Sequence, residues 1–575
     1  MNVHTITVKL LPGREAGASN AEQLRTAARQ ASGQHGVCLQ IPEGTWSVAD
    51  PEAVSRWRKL LDPQFDYKTL QLAVDRPAYS LMLIEDASDI TVEATGATLL
   101  FEGLIQPLEC RRCAGLNLVG LTIDWLVPSN WVARVDAIEG RRVELSFPEV
   151  YPVEGGELVH TLLDMHPDEA GKLWHGRRYM PGNDTRLRAT GRHSAVVDDL
   201  RCAEHLQVGD HVASHVSSRP GSALCLLDCV EVLCQDLTFF AAPGWVISMR
   251  QCHNVCYRRV HTIPRPGRPL GPNRDGIHGI ENTGLIEVED CHFESISDDG
   301  LNLHNDAYEA HPGTHPRQIL MVQRHNMRGG SYDGHRPTFQ RGDVLELLSG
   351  STYERYASAL VADAQVDGTH LSHGFRIELQ HPLPAAFRAG DFACVASRMA
   401  RLHMRRCVFS NNFAHGIRFA LKTGVIEDCL FEHLYGPGID VNPAFAPIWS
   451  ESGHVDQLIV RRNTFRRCGR SFRSGDGWGF ATRSELPRNA VGLHRNILLE
   501  DNHFQSEDPG PAVYLGCARD VIVRGNTFDC PPPYVHTCHT RDASLALPGP
   551  QNICLVLGEA SSDIVYREMD TKKEP

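Results

Sequence analysis

Most of the chain alternates short apolar-polar-apolar runs with clusters of Gly, Asp, Asn and Pro, the pattern of short β-strands separated by turns. One phrase recurs: polar residues, a small residue, one more residue, then an aromatic one. It reads DLTFF at Asp236–Phe240, EDCHF at Glu289–Phe293, RRCVF at Arg405–Phe409, EDCLF at Glu427–Phe431, RRNTF at Arg461–Phe465, EDNHF at Glu500–Phe504 and RGNTF at Arg524–Phe528. Phe409 and Phe431 are 22 residues apart, and Phe504 and Phe528 are 24 apart. Self-similarity on a period of roughly 20–50 residues marks a solenoid, each repeat being one rung. Two residues before the phenylalanine stand Cys291, Cys407, Cys429, Asn463, Asn502 and Asn526. Asn at a recurring turn stacks into a hydrogen-bonded ladder, and Cys is a small substitute there.

The N-terminal pattern differs. Ser19-Asn20-Ala21-Glu22 reads as a helix start, with Leu24, Ala27, Ala28 and Ala31 near one face. A short strand, Val37 to Ile41, and a Pro-Glu-Gly turn follow. A capping helix protects the first rung of a solenoid. The expected fold is all-β: a right-handed parallel β-helix of the pectin-lyase type, with an N-terminal capping helix.

Two stretches break the rhythm. One follows LTIDW (Leu121–Trp125) and ends in VGDHVASHV (Val208–Val216); the other contains RGDVLELL (Arg341–Leu348) and FRIELQ (Phe375–Gln380). Their alternating strands predict small antiparallel β barrels or sandwiches inserted into solenoid loops. The expected organisation is a cap and first rungs over 1–126, an inserted module over 127–218, central rungs over 219–305, a second module over 306–397, and closing rungs with a tail over 398–575. Both modules leave the solenoid beside acidic strands, so both are placed to wall one cleft.

Composition narrows the function. A hydrophobic content of 42% can fill a large core, and the net charge of −13 argues against nucleic acid or an anionic membrane as partner. No apolar run approaches the ~20 residues of a membrane span. The first residues carry no signal-peptide pattern, so the expected location is cytoplasmic, or periplasmic or secreted if a leader is missing from this sequence. The 18 cysteines do not form a compact disulfide framework. The lone CxxC, Cys110 to Cys113, reads as buried or turn thiols rather than as a zinc or redox site.

Candidate chemistry concentrates between Asn273 and His304. Asp275 precedes Asp298 by 23 residues and Asp299 by 24, which are one-rung spacings. Residues one rung apart stack about 4.8 Å from each other in a parallel β-helix. Clustered carboxylates repel when ionised, so at least one is held protonated beside an ionised neighbour, as glycoside hydrolysis requires. A calcium site or plain Asp-Gly turn chemistry are the other readings. Asn302 and His304 follow on one side of the same strand. Arg418 and Glu451 fall on later rungs. Trp125, Trp245, Trp449 and Trp478 are candidate platforms for a sugar ring.

In order, LTIDW, the module after it, Asp275-Gly276, DDGLNLH, GDVLELL, HGIRF and WSESG resemble glycoside hydrolase family 110 over roughly 121–465. That family comprises α-1,3-galactosidases on a right-handed parallel β-helix with inserted β-barrel domains. The resemblance implies an exo-acting enzyme that removes terminal α-1,3-linked galactose with inversion. It makes Asp298 the general acid, and Asp275 or Asp299 the base that activates water. An inverting pair is expected to stand ~6.5–9.5 Å apart. Where the family reads DDALNVHG, this chain has Gly300 and Asn305, so the sugar-contacting shell is its own.

The expected site is thus Asp275, Asp298 and Asp299 as catalytic groups, with Asn302, His304, Arg418, Trp449, Glu451 and Trp125 around a carbohydrate, and no metal or cofactor. Two alternatives remain. One is a polygalacturonase-like hydrolase, echoed by His415-Gly416 and Arg418 but lacking a clean Arg-x-Lys platform. The other is a non-catalytic carbohydrate-binding β-helix.

Overall fold

The computed structural model describes residues 4–62, 64, 80–159, 161–179, 181, 185–215, 221–322, 339–367, 374–443, 450–469, 478–483, 492–505, 512–529, 555–557 and 562–567. Among these, three sheets of 13, 12 and 11 strands run the length of a β-helix, parallel throughout except for one antiparallel strand, Glu451–Ser452, in the sheet of 12, and each full rung gives one strand to each sheet. Sheet I, the 13-stranded one, starts at His4–Thr7; sheet II, of 12, at Ser80–Glu85; sheet III, of 11, at Gly44–Ala49. Sheet II carries the candidate site. Its strands Ile277–Ile280, Leu301–Asp306, Ile417–Phe419, Ile439–Val441 and Phe480–Thr482 pair in register, so Ile277, Leu301, Ile417, Ile439 and Phe480 form one inward column.

The recurring phrase is the spine of the core. The rings of Phe293, Phe409, Phe431, Phe465, Phe504 and Phe528 stack face to face, with centroids 4.7 to 5.1 Å apart and planes within 8° of parallel. In DLTFF the core ring is Phe239, not Phe240. Phe239 pairs with Thr262, which pairs with Phe293, so the strands stay in register and the phrase there is Gln235–Phe239. Beside the rings, Asn463 and Asn502 each give a backbone N–H to the side-chain oxygen of the next Asn, at 3.0 and 2.9 Å. Cys429 joins the same ladder by donating its N–H to Asn463. The described cysteines are free thiols, nearly all buried.

At the N-terminal end the cap is an α-helix over Gly17–Ala31 that buries Ala21, Leu24, Ala27, Ala28 and Ala31. Asn20 does not start this helix. It lies inside the first turns, where its side chain is buried and bonds both backbone groups of Leu11 and the carbonyl of Ser47. A second helix, Pro51–Leu61, is capped by the Asp50 carboxylate, which accepts from Glu52 N and Ala53 N. None of the described helices is long and apolar enough to cross a membrane.

Two antiparallel modules interrupt the rungs. The first is a seven-stranded sheet drawn from Asn130 to His215, with its own core. It leans on the solenoid through Asn130, which donates to Gly271 O at 2.6 Å, and through His175, which bonds Asn411 and the His433 carbonyl. The second is a closed barrel whose strands run from Tyr308–Pro312 to Asp391–Val395. Buried ions fasten its base. Arg398 reaches Asp343 at 2.6 Å and Glu281 at 3.3 Å, and Arg250 reaches Asp306 at 2.8 Å.

Candidate active site

A second repeat places the site. Asp275-Gly276-Ile277-His278, Asp299-Gly300-Leu301-Asn302, His415-Gly416-Ile417-Arg418 and Pro437-Gly438-Ile439-Asp440 occupy equivalent positions on four successive rungs of sheet II. Gly276 N donates to Asp299 O, and Gly300 N to His415 O, both at 3.0 Å. The apolar member faces the core and the polar members face out. The glycines are needed for space rather than for a turn. A Cβ on Gly300 would lie 2.4 Å from Phe409 Cδ1 and 2.7 Å from Gly416 O, and one on Gly276 would lie 2.5 Å from Gly300 O. The Phe stack therefore presses on this column and sets the height of each carboxylate.

Asp275, Asp298 and Asp299 converge: one carboxylate oxygen from each lies within 4.8 Å of the others. Stacked rungs bring the nearest oxygens this close along one wall. Two O–H···O bonds of ~2.7 Å from one water place their acceptors ~4.4 Å apart, so adjacent rungs can clamp a single water.

The three acids differ in setting. Asp275 is buried, and desolvation together with the charges of Asp298, Asp299 and Glu451 pushes its carboxyl well above the usual range. Burial pulls Asp299 the same way, but the charge and hydrogen bonds of His415 outweigh it, and Asp299 ends below its usual value. Its Oδ1 accepts from both the backbone N (2.9 Å) and the ring Nδ1 (2.7 Å) of His415. Asp298 is the open member, its side chain 29% exposed and its Oδ2 3.2 Å from Arg274 Nη1.

Around them lies a polar floor. His278, Asn302, Arg418 and Asp440 form one outward column. His278 and His304 share a hydrogen bond of 2.9 Å between their Nε2 atoms, and Trp245 lies against His278 with ring centroids 4.5 Å apart. Glu451 arrives on a short strand that pairs antiparallel with Leu301–Asp306, opposite Asp306. Arg418 Nε reaches Glu451 at 2.9 Å, and Asn302 Nδ2 donates to it at 3.4 Å. Asn302 Oδ1 is buried and has no hydrogen-bond partner among the described residues.

The structure thus brings together Asp275, Asp298, Asp299, Asn302, His304, Arg418 and Glu451. Trp125 is elsewhere. It lies on sheet III facing the core, packs on Phe101 at 5.3 Å and donates its indole N–H to Gly103 O, so it is a core residue and not a sugar platform. Trp449 lies outside the described residues. Sequence reading missed His415 as a partner of Asp299, and missed Asp440 and Arg483 behind it. The signal was present in the repeated residue-Gly-apolar-polar phrase.

Among the described residues two groupings have ligand-like closeness, the three aspartates and His278 with His304 and Glu451. In the first, Arg274 and His415 stand against the aspartates; in the second, the imidazoles bond each other and Arg418 reaches Glu451.

No family model matches the sequence. Among curated proteins, an α-1,3-galactosidase A of Bacteroides fragilis is 23% identical over 521 residues, covering 85% of this chain and 81% of that protein. An α-1,3-galactosidase B of Bacteroides thetaiotaomicron is 22% identical over 589 residues, covering 96% and 90%. Among solved structures, an exopolygalacturonase from Thermotoga maritima aligns at 11% identity with a TM-score of 0.38, over 95% of this chain and 88% of that one. The chain is a parallel β-helix glycoside hydrolase. Its curated homologues carry the name α-1,3-galactosidase, the activity of glycoside hydrolase family 110 that the sequence resembles.

Proposed function

We propose that this enzyme is an exo-acting, inverting hydrolase that removes a terminal α-linked galactose, in the manner of an α-1,3-galactosidase. The observation that carries the reading is the convergence of the three carboxylates on adjacent rungs in unlike settings: His415 donates twice to Asp299 and draws its pKa down, while burial and the neighbouring carboxylates push that of Asp275 up. Asp299 is the base. It takes a proton from a water gripped between the two rungs as the water oxygen bonds to the anomeric carbon. Asp298, the most open of the three, serves as the acid that protonates the departing glycosidic oxygen, the role the family resemblance implies for it. Asp275 stays neutral and donates a hydrogen bond to the water or the sugar. Asn302, His304, Arg418 and Glu451 present donors and acceptors for the galactose hydroxyls, and the orphaned Asn302 Oδ1 accepts from one of them. The polar floor is consistent with a neutral, hydroxyl-rich ring.

A second assignment exchanges the acids. Burial and the neighbouring carboxylates raise the proton affinity of Asp275, which favours it as donor. Leaving-group dependence separates the two. Replacing the true acid by Asn abolishes turnover of a poor leaving group but spares a dinitrophenyl galactoside, whose aglycone needs no proton. We expect Asp298→Asn to show that rescue and Asp275→Asn not to; the reverse pattern moves the acid to Asp275.

A further inference from the structure

Behind Asp299 the structure holds a row of charges, running through the buried Asp440 to a partly exposed Arg483, that the proposed reaction does not itself use. His415 Nδ1 lies 2.7 Å from Asp299 Oδ1, and its Nε2 lies 3.3 Å from Asp440 Oδ2. Arg483 then grips Asp440 with two bonds, Nε to Oδ1 at 2.8 Å and Nη2 to Oδ2 at 2.9 Å. Asn442 Nδ2 donates to Asp440 Oδ2 at 3.3 Å. The signs alternate along successive rungs: carboxylate, imidazole, carboxylate, guanidinium. An imidazole with carboxylates at both nitrogens satisfies both only when both nitrogens carry hydrogen, which is the imidazolium form. Asp440 is completely buried, so a neutral His415 would leave it with one donor fewer in a place without solvent. Gly436 leaves room for the ring, since a Cβ there would come 2.7 Å from its Cδ2.

We propose that His415 is a positioning residue that fixes Asp299 as the ionised base of the reaction, with Asp440 and Arg483 holding the imidazolium in place from behind. His415 occupies one oxygen of Asp299 with two donors, and so turns the other oxygen toward the water. The charged groups facing this pair are Asp275 on the rung before, Asp298 beside Asp299, Arg418 on the strand of His415, and Asp440 with Arg483 on the rungs after. Asp275 and Asp298 oppose ionisation of Asp299, and the cationic His415 is the counterweight placed against it. Burial alone works against a charged imidazole, yet Asp299 and Asp440 together hold its affinity for the proton above the usual value.

This inference rests on the reading of Asp299 as base, and the test separates the two. Purified wild type, His415→Gln, His415→Asn, Asp440→Asn and Asp299→Asn are compared on a nitrophenyl α-galactoside across pH, with folding checked by circular dichroism. The His415 variants are expected to lose ~10–100-fold in kcat with KM within about threefold. The acid limb of their kcat/KM profile moves up by about one pH unit, and that of Asp440→Asn moves by less. An acid limb identical to wild type in a folded His415 variant, with Asp299→Asn inactive, overturns the role of His415. An active Asp299→Asn overturns the base assignment instead. A readout independent of activity is nitrogen NMR of ¹⁵N-histidine-labelled wild type, using His415→Gln to assign the signal. His415 is expected to show the imidazolium signature at pH 7, and a neutral ring there overturns the proposal.

Discussion

Asp275 carries the clearest conflict between stability and chemistry. Its folded-state affinity for a proton is raised, so the native protein keeps a proton that the unfolded chain releases above ~pH 3.9. As pH rises from that value toward the folded pKa, unfolding is favoured progressively, and the cost is present at neutrality. Asp275→Asn removes the titration. The variant is expected to lose activity yet melt ~2–4 °C above wild type at pH 7, with the gap closing near pH 3.5 in calorimetric scans. A variant that melts below wild type at pH 7 contradicts this account of the site. Asp299 and His415 behave oppositely. The lowered Asp299 stabilises above its unfolded pKa and loses that as pH falls; the raised His415 stabilises below ~6.5 and loses that as pH climbs through its folded value. Their joint contribution is therefore greatest between ~pH 4 and 6.5.

On the scale of single elements, the height of each site carboxylate is set by packing inside the solenoid. The Gly column meets the edges of the Phe stack, so Gly300→Ala forces a methyl into Phe409. That substitution is expected to cost ~1–3 kcal/mol in urea unfolding and to lower kcat by displacing Asp299. Full activity together with lost stability would separate the column from the chemistry. Glu451 depends on a tighter constraint. Gly453 has φ 143°, and a Cβ there would lie 1.8 Å from Ala420 O, so no side chain is admitted at the bend that returns Glu451 to the site. Gly453→Ala should raise KM more than it lowers kcat; unchanged kinetics would remove Glu451 from the sugar contacts.

These elements also mark what the sequence could and could not reveal. The Phe phrase was legible because one ring recurs at one-rung spacing, and it carried the pairing of Asp275 with Asp299. DLTFF misled by one residue because two adjacent phenylalanines fit the phrase and only the strand register chooses between them. Trp125 read as a platform because a tryptophan next to an acid fits either role; alternation with Ile123 turns it inward. The Pro51–Leu61 helix has a plain start at Asp50-Pro51 but is buried in a strand-rich context. His415 and Asp440 stand 116 and 141 residues after Asp299, so only a rung count that steps over the barrel brings them together.

Across the whole molecule, the two modules are fastened to the rungs that bear the site. The barrel's attachment runs through Arg398, which is buried between Glu281 on the solenoid and Asp343 on the barrel. Removing one member of a buried ion set leaves the others uncompensated, so Arg398→Ala is expected to cost ~3–5 kcal/mol in denaturant unfolding. A loss under ~1 kcal/mol would mean that the barrel is held by apolar contacts alone. The first module grips Asn411 and His433, residues of the turns that lead into the His415 and Ile439 strands. The acid cluster therefore lies on a wall braced by both insertions.

The central claim is that stacked aspartates direct a water onto the anomeric carbon of an α-galactoside. Proton NMR of the first sugar released from an aryl α-galactoside, recorded before mutarotation, tests it most directly. The account predicts β-galactose as the first anomer, with its signal lost in Asp299→Asn. Release of α-galactose first, or an undiminished signal in that variant, would contradict it.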